Sequence, residues 1–378
     1  MKIIIVGGGI IGSTHALAAL AAGHEVLHLE RDPIARSASV RNFGLIWVSG
    51  RKSGTELAFS LRARQLWDEI SNRIPNLSLR ANGSLTLAIN SAEVAVMEEC
   101  VKKTDAHDRG WELLSKSETI RKNPALNGEY LAALYCPHDA TVEPGSVLES
   151  IRSYLLEYRD NQNKRKYQLL NNMDIVDVQE FTERVTVTAR SGEKFDCDKA
   201  IIAPGADHHS LFAEQLSLPA LRKVRIQMMS TAPLDLELTT SIADGDSMRY
   251  YPGYDVPALT ELPAQDPIAA EKHVQLLMVQ RLDGTLTIGD THEYSEPFDF
   301  ALDERPYRYL HEVASNLIGA KLPDITRRWD GVYSQRSDGA ICDRQFISPN
   351  IITVTGPGGR GNTLAPAIAE ETLTLLKG

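Results

Sequence analysis

Three glycines and a carboxylate near the start of the chain have the types and spacing to hold a dinucleotide. Gly7, Gly9 and Gly12 form a G-x-G-x-x-G pattern, and Glu30 follows eighteen residues after the last of them. The first glycine allows a tight turn, the second lets a pyrophosphate approach the backbone, and the third lets a helix pack closely on a strand. A carboxylate at that distance accepts hydrogen bonds from both ribose hydroxyls and repels a 2′-phosphate, so NADP is disfavoured. Glycines in this spacing also occur in plain turns, so the decision rests on the elements around them. Residues 2–6, KIIIV, are a continuous apolar run suited to a strand buried on both faces. The helix that follows carries Ala16, Ala18, Ala19, Ala21 and Ala22, small enough to lie flat on a sheet, and Gly23 stops it. A second strand, EVLHL, delivers Glu30. Strand, turn, helix, strand and acid arrive in register, which points to a dinucleotide without separating FAD from NAD.

A second glycine-rich turn lies near the other end of the chain. NIITVT (350–355) reads as a buried strand, and GPGGRGNT (356–363) as a turn that only glycines negotiate. Asn362 or Thr363 is placed to cap the following helix, with Pro366 in its first turn. The free N–H groups at such a helix start favour an anionic ligand. A reduced flavin, negative at its N1–C2=O edge, is a ligand of that kind, whereas an NAD enzyme needs no such loop.

Composition sets the outer bounds. With 378 residues, 43% of them hydrophobic and 24% charged, the chain has room for two domains of an ordinary globular protein. A net charge of −10 without a basic stripe argues against nucleic-acid binding. The four cysteines show no C-x-x-C pairing, so neither a metal site nor a redox pair is expected, and lone thiols suit a reducing compartment. No apolar run reaches the length of a membrane span. A cytoplasmic protein is expected, and the sequence has no signature for or against an oligomer.

Between the two glycine turns, IQMMSTA (226–232), VQLLMVQR (274–281) and TLTIGDTH (285–292) are short apolar segments separated by turns, as in an antiparallel sheet. YYPGYDVPALTELPAQDP (250–267) is a Pro-rich loop in a position to cover a site, and residues 305–320 have helical periodicity. The expected fold is α/β, α+β overall. A Rossmann-like dinucleotide-binding domain is assembled from 1–79, 137–221 and 326–378. A mostly antiparallel substrate domain is built from 80–136 and 222–325.

Five segments together resemble the FAD-dependent D-amino-acid, glycine and sarcosine oxidase superfamily across nearly the whole chain. They are SASVRNFGLIW (37–47), ATVEPGSVLESI (140–151), KAIIAPGADHHSL (199–211), WDGVYSQRSDGAICD (329–343) and the closing strand, glycine loop and helix (350–376). Pro204-Gly205 stands where that family usually has Ala-Gly. The resemblance implies FAD as cofactor. It places the contacts at Gly7, Gly9, Ile10, Ile11, Gly12, Glu30, Arg31, Arg41, Asn42, Phe43, Gly44, Val176, Ala203, Pro204, Gly205, Gly356, Gly358, Gly359, Gly361, Asn362 and Thr363. RNFGLIW also resembles a subgroup associated with phosphonate breakdown, which implies an aminophosphonate or its N-methyl derivative as substrate.

The chemistry so implied is oxidation of a C–N bond by hydride transfer to flavin N5, followed by hydrolysis of the imine and reoxidation by oxygen or another acceptor. The amine must be neutral. For a lysine-like amine this means losing a proton about 3 pH units below its pKa, roughly 4 kcal/mol, which burial supplies in large part. No dedicated base is evident in the sequence. An anionic substrate head calls for arginine. Arg336, Arg281 and Arg41 are the candidates, each able instead to bridge a neighbouring acid such as Asp338 or Asp283. His292, Tyr251 and Trp47 are further candidates for contact with the substrate, with structural packing as the alternative. Several relatives attach flavin through Cys or His near these loops. GVYSQRSDG has no Cys and RNFGLIWVSG has neither, so non-covalent FAD is expected. The other readings are an oxidase or dehydrogenase of a D-, imino- or N-methyl amino acid, and a flavoprotein that relays electrons within a complex.

Overall fold

In a computed structural model describing residues 1–182 and 184–376, the strand Lys2–Val6 is an interior strand of a six-stranded sheet. The strand order is Asp343–Ser348, Ile351–Thr355, Lys199–Ile202, Lys2–Val6, Glu25–Leu29, Tyr167–Leu170. All neighbours run parallel except the edge strand Asp343–Ser348. Alternate residues of the first strand serve two cores, which is why its sequence is apolar throughout. Ile3 and Ile5 pack against the helices Ile10–Ala21, Val147–Glu157 and Gly361–Leu375. Ile4 packs against a three-stranded sheet of Ile175–Phe181, Arg184–Ala189 and Lys194–Cys197.

The second sheet has eight strands, ordered Ile325–Arg336, Leu221–Thr231, Leu286–Gly289, Leu277–Gln280, Ser241–Asp244, Ser84–Ala88, Ala132–Cys136, Glu112–Ser115. It is antiparallel except where Ser241–Asp244 meets Ser84–Ala88. The helix Glu304–Ile318, capped by Asp303 at its start and by Gly319 at its end, buries Tyr307, Leu310, Ala314 and Leu317 against this sheet. Ile325–Arg336, at the start of the third piece expected for the first domain, lies beside Leu221–Thr231 along its whole length as a strand of this second sheet.

The C-terminal helix starts at Gly361, with Arg360 at the cap position and no side-chain cap, contrary to the expected role of Asn362 or Thr363. Those two side chains point sideways. Asn362 Nδ2 donates to Leu45 O (3.2 Å), and Thr363 Oγ1 accepts from Trp47 N–H (2.9 Å), tying the helix to the loop before it in space. Pro366 therefore lies inside the helix and leaves Asn362 O without its usual i+4 donor. Trp67 Nε1, on the buried face of the helix Thr55–Arg73, donates to that carbonyl at 3.1 Å. Trp67→Phe removes the donor and part of the buried ring volume, so it should cost at least about 1–3 kcal/mol of unfolding free energy in a denaturant titration.

Candidate functional site

One large cavity, about 1430 Å³, runs between the two sheets, from the first glycine turn to the face of the eight-stranded sheet. Ordinary small-molecule sites occupy roughly 300–1,000 Å³, so the volume admits a dinucleotide and a small second ligand. At its first end the glycines are obligatory on steric grounds. A Cβ at Gly7 (φ +110°) would sit 2.2 Å from Ala203 O, and one at Gly12 would sit 1.8 Å from Gly7 O. His28 Nε2 lies 2.9 Å from Gly7 O and so must donate to it, while Nδ1 accepts from Tyr167 O–H. Burial lowers the His28 pKa to about 4, which keeps the ring neutral in that role.

Glu30 is buried at the end of its strand. Its Oε2 accepts from Gly8 N–H (2.6 Å) and its Oε1 from Asp32 N–H (2.9 Å). Arg31 crosses to Asp207 at 2.7 Å, and Ala203, Pro204 and Gly205 form the facing wall. Val176 is not on the cavity. Its strand alternates, Ile175 is the buried neighbour, and Met173, Asp174 and Ile175 line the wall while Val176 is exposed. Gly44 and Gly356 are also off the lining. Gly44 (φ +68°) is pressed against Val142 O, and Gly356 (φ +70°) against Leu221 and Arg336, so both shape turns behind the wall. Gly7, Gly9, Ile10, Ile11, Gly12, Glu30, Arg31, Arg41, Asn42, Phe43, Ala203, Pro204, Gly205, Gly358, Gly359, Gly361, Asn362 and Thr363 all lie on it.

Residues 36–47 run along the cavity between the two sheets. Ser39 Oγ accepts from Ile10 N–H, and Asn42 Oδ1 accepts from Gly44 N–H while its amide donates to Ala38 O and Ser39 O. Buried Asp139 accepts from Val48 and Ser49 N–H and from Ser84 Oγ, fixing the stretch just beyond Trp47. Its pKa is raised to about 6 by burial, against those three hydrogen bonds. At the far end Phe43, Leu45 and Trp47 pack with Val224, Ile226 and Met228, and Tyr294 and Tyr333 lie against this cluster. The Pro-rich loop reaches the cavity through Tyr250, Tyr251 and Pro252, with the Tyr251 ring 6.1 Å from Trp47. It is anchored, not free: Tyr254 stacks on Trp111 at 5.5 Å, and its O–H pairs with Ser49 Oγ at 2.9 Å.

The three arginines picked out in the sequence are all committed elsewhere. Arg336 pairs with Asp338 and Asp343, and Arg41 lies 3.5 Å from Asp330 and donates to two carbonyls. Arg281 is off the cavity, donating to Phe43 O (2.6 Å) and Thr287 Oγ1 (2.9 Å) as a strut behind the wall. Arg222 is a cation on the cavity that sequence reasoning missed. On Leu221–Thr231 it shares a face with Val224 and Ile226, its guanidinium stacks over Tyr294 at 4.1 Å, and it donates to Gln335 Oε1 opposite. No carboxylate lies within ion-pair distance of it among the described residues. The signal was present in LRKVRIQ, where strand alternation puts residues 222, 224 and 226 on one side.

His292 lines the cavity, and burial lowers its pKa to about 4. No cysteine is among the described lining residues. Burial pushes the thiols of Cys100 and Cys197 up to about 12 and Cys342 to about 11, so none is activated. Among the described residues no cluster has a metal-binding set, and no helix is long and apolar enough to cross a membrane.

A parallel sheet whose first glycine turn has the shape to admit a dinucleotide, joined through one cavity to an antiparallel sheet, is the architecture of a nucleotide-dependent oxidoreductase. The sequence profile of the DAO family, FAD dependent oxidoreductases, matches residues 2–375, and the chain belongs to that family. It is 21% identical over 389 aligned positions to glycine oxidase of Bacillus licheniformis, covering 99% of this chain and 92% of that one. It is 24% identical over 172 residues to an opine oxidase component of Rhizobium meliloti, a match spanning 42% of this chain and 46% of the relative. The crystal structure of glycine oxidase from Geobacillus kaustophilus superimposes with a TM-score of 0.77 at 18% identity, over 100% of this chain and 95% of that one. Iminodiacetate oxidase from Chelativorans sp. BNC1 gives 0.73 at 17% identity, with 100% and 95% covered. The glycine turns that a Cβ would block, and the cavity's volume, fit FAD. When bound, the flavin supplies a two-electron, hydride-accepting centre.

Proposed function

We propose that the chain oxidises the C–N bond of a small D-, imino- or N-methyl amino acid, giving an imine that hydrolyses to a carbonyl compound and an amine. The observation that carries this reading is Arg222, a guanidinium with no carboxylate partner among the described residues, on the aromatic wall where the cavity meets the substrate sheet. Its planar fork suits a carboxylate, and the protein's net charge of −10 supplies no long-range attraction for an anion. Trp47, Phe43 and Tyr251 exclude water from the same region, which favours the neutral amine over its ammonium form. The relatives named above act on glycine, opines and iminodiacetate, and they support an amino acid over the aminophosphonate expected from RNFGLIW. The cysteine-free lining supports FAD held without a covalent bond; acid precipitation should leave the yellow colour in the supernatant.

Anaerobic titration tests the reading. Sarcosine, glycine, proline or D-alanine should bleach the flavin absorbance, and 2-aminoethylphosphonate should not. Bleaching by the phosphonate alone would favour the aminophosphonate instead. Bleaching by none of them would leave an electron-relay role.

A further inference from the structure

Asp290 and His292 follow the strand Leu286–Gly289 and border the cavity, each side chain only 10% exposed. His292 Nδ1 is 3.1 Å from His273 O. A carbonyl only accepts, so Nδ1 carries the ring hydrogen and Nε2 presents a lone pair. That lone pair faces Asp290 Oδ2 at 3.8 Å, and Asp290 Oδ1 has no partner among the described residues. Two acceptors thus lie near each other with no donor between them, so the ionised carboxylate is left unsatisfied and readily takes up a proton.

The surroundings act in the same direction. Tyr251 from the Pro-rich loop, Tyr333 from Ile325–Arg336 and Tyr294 all feel the Asp290 charge. The His292 ring stacks on Tyr294 at 6.3 Å, with His273 edge-on to Tyr294 beyond it. Arg222 is the cation acting on His292, Tyr294 and Tyr333, so the anion site and the Asp290–His292 pair share the same tyrosines. Burial holds Asp290 well above the ordinary carboxylate range, which makes its ionised form a strong proton acceptor.

We propose that Asp290, backed by His292 Nε2, takes the ammonium proton of the substrate held by Arg222, making it a catalytic residue of the amine oxidation. This rests on the amine-oxidising reading above. The substrate N–H bond breaks with its electron pair left on nitrogen, and an O–H bond forms on Asp290, directed at His292 Nε2. With the lone pair free, the adjacent carbon can give up a hydride, for which bound FAD would be the two-electron acceptor, and the substrate would leave as an iminium ion. Carboxyl and nitrogen together are then both neutral before oxidation, the state that a desolvated pocket favours.

Anaerobic stopped-flow reduction of the flavin by an amino acid that bleaches the wild type, followed across pH, tests this. Asp290→Asn should retain flavin and its visible spectrum, yet reduce it about 10²–10⁴-fold more slowly near neutral pH. The deficit should shrink roughly tenfold per pH unit towards the amine's own pKa, since solution then supplies the free base. His292→Gln should displace the pH at which the wild-type plateau is reached. Equal rates, or a slowing that is uniform across pH, would overturn the assignment; so would an unmoved His292→Gln profile, which decides the matter alone if Asp290→Asn emerges without flavin. If the wild type itself is reduced by no amine, the failure belongs to the functional reading and not to the pair.

Discussion

Replacing Gly12 by alanine is expected to yield a chain that carries no flavin. The added methyl would sit 1.8 Å from Gly7 O and 3.2 Å from His28 Nε2, and neither can yield. Gly7 O is pinned by the His28 hydrogen bond, and His28 by Tyr167. The helix Ile10–Ala21 would have to lift off the sheet, disturbing its contacts with Gly361–Leu375 and the alignment of its free N–H groups on the pyrophosphate site. The cost exceeds the roughly 1–3 kcal/mol of an ordinary overpacked position, because backbone and not a side chain is struck. Gly23→Ala is the control. It ends the same helix at φ +81° with nothing within 4 Å, so it should cost about 1 kcal/mol of backbone strain and leave flavin content intact. Flavin per chain, read from the visible spectrum, and Tm separate the two. A yellow Gly12→Ala protein with wild-type Tm would show that strand and helix are not in the close contact described.

The contrast between legible and illegible parts of the site follows from interaction range. Gly7 to Glu30 obey rules confined to one strand–turn–helix–strand unit, and the structure places all of them on the cavity. The C-terminal turn is readable as a glycine turn leading into a helix, yet the roles of Asn362 and Thr363 are not. Their partners, Leu45 and Trp47, lie more than 300 residues away in sequence. The partners of the arginines are hidden for the same reason. Arg41 finds Asp330, and Arg281 finds Phe43 O, across most of the chain. The one partner within two residues, Asp338 of Arg336, is foreseeable. Val176 and Ile175 differ only in which face of Ile175–Phe181 meets the six-stranded sheet, a fact set by packing. Asp290 escapes notice beside His292 because its importance comes from the absence of partners, which no local pattern encodes.

Arg222→Met should separate substrate binding from stability. Met keeps much of the apolar stem over Tyr294 and removes the fork, and no carboxylate among the described residues is left uncompensated. Stability should therefore change by no more than about 0.5 kcal/mol. Binding should not escape so lightly, since truncating one partner of a buried charge pair costs about 2–5 kcal/mol. That is roughly 30- to several-thousand-fold in kcat/KM for an amino acid. An amine of similar size without an acidic group should lose little, and Arg222→Lys should recover part of the amino-acid activity, because it restores the charge without the bidentate geometry. Arg336→Met should behave oppositely. It strands Asp343, whose side chain is only 5% exposed, and so should cost about 3–5 kcal/mol of stability while leaving KM near wild type. If instead Arg336→Met raises KM and Arg222→Met does not, the anion is bound beside the glycine loop and the carboxylate site assigned to the antiparallel sheet is in the wrong place.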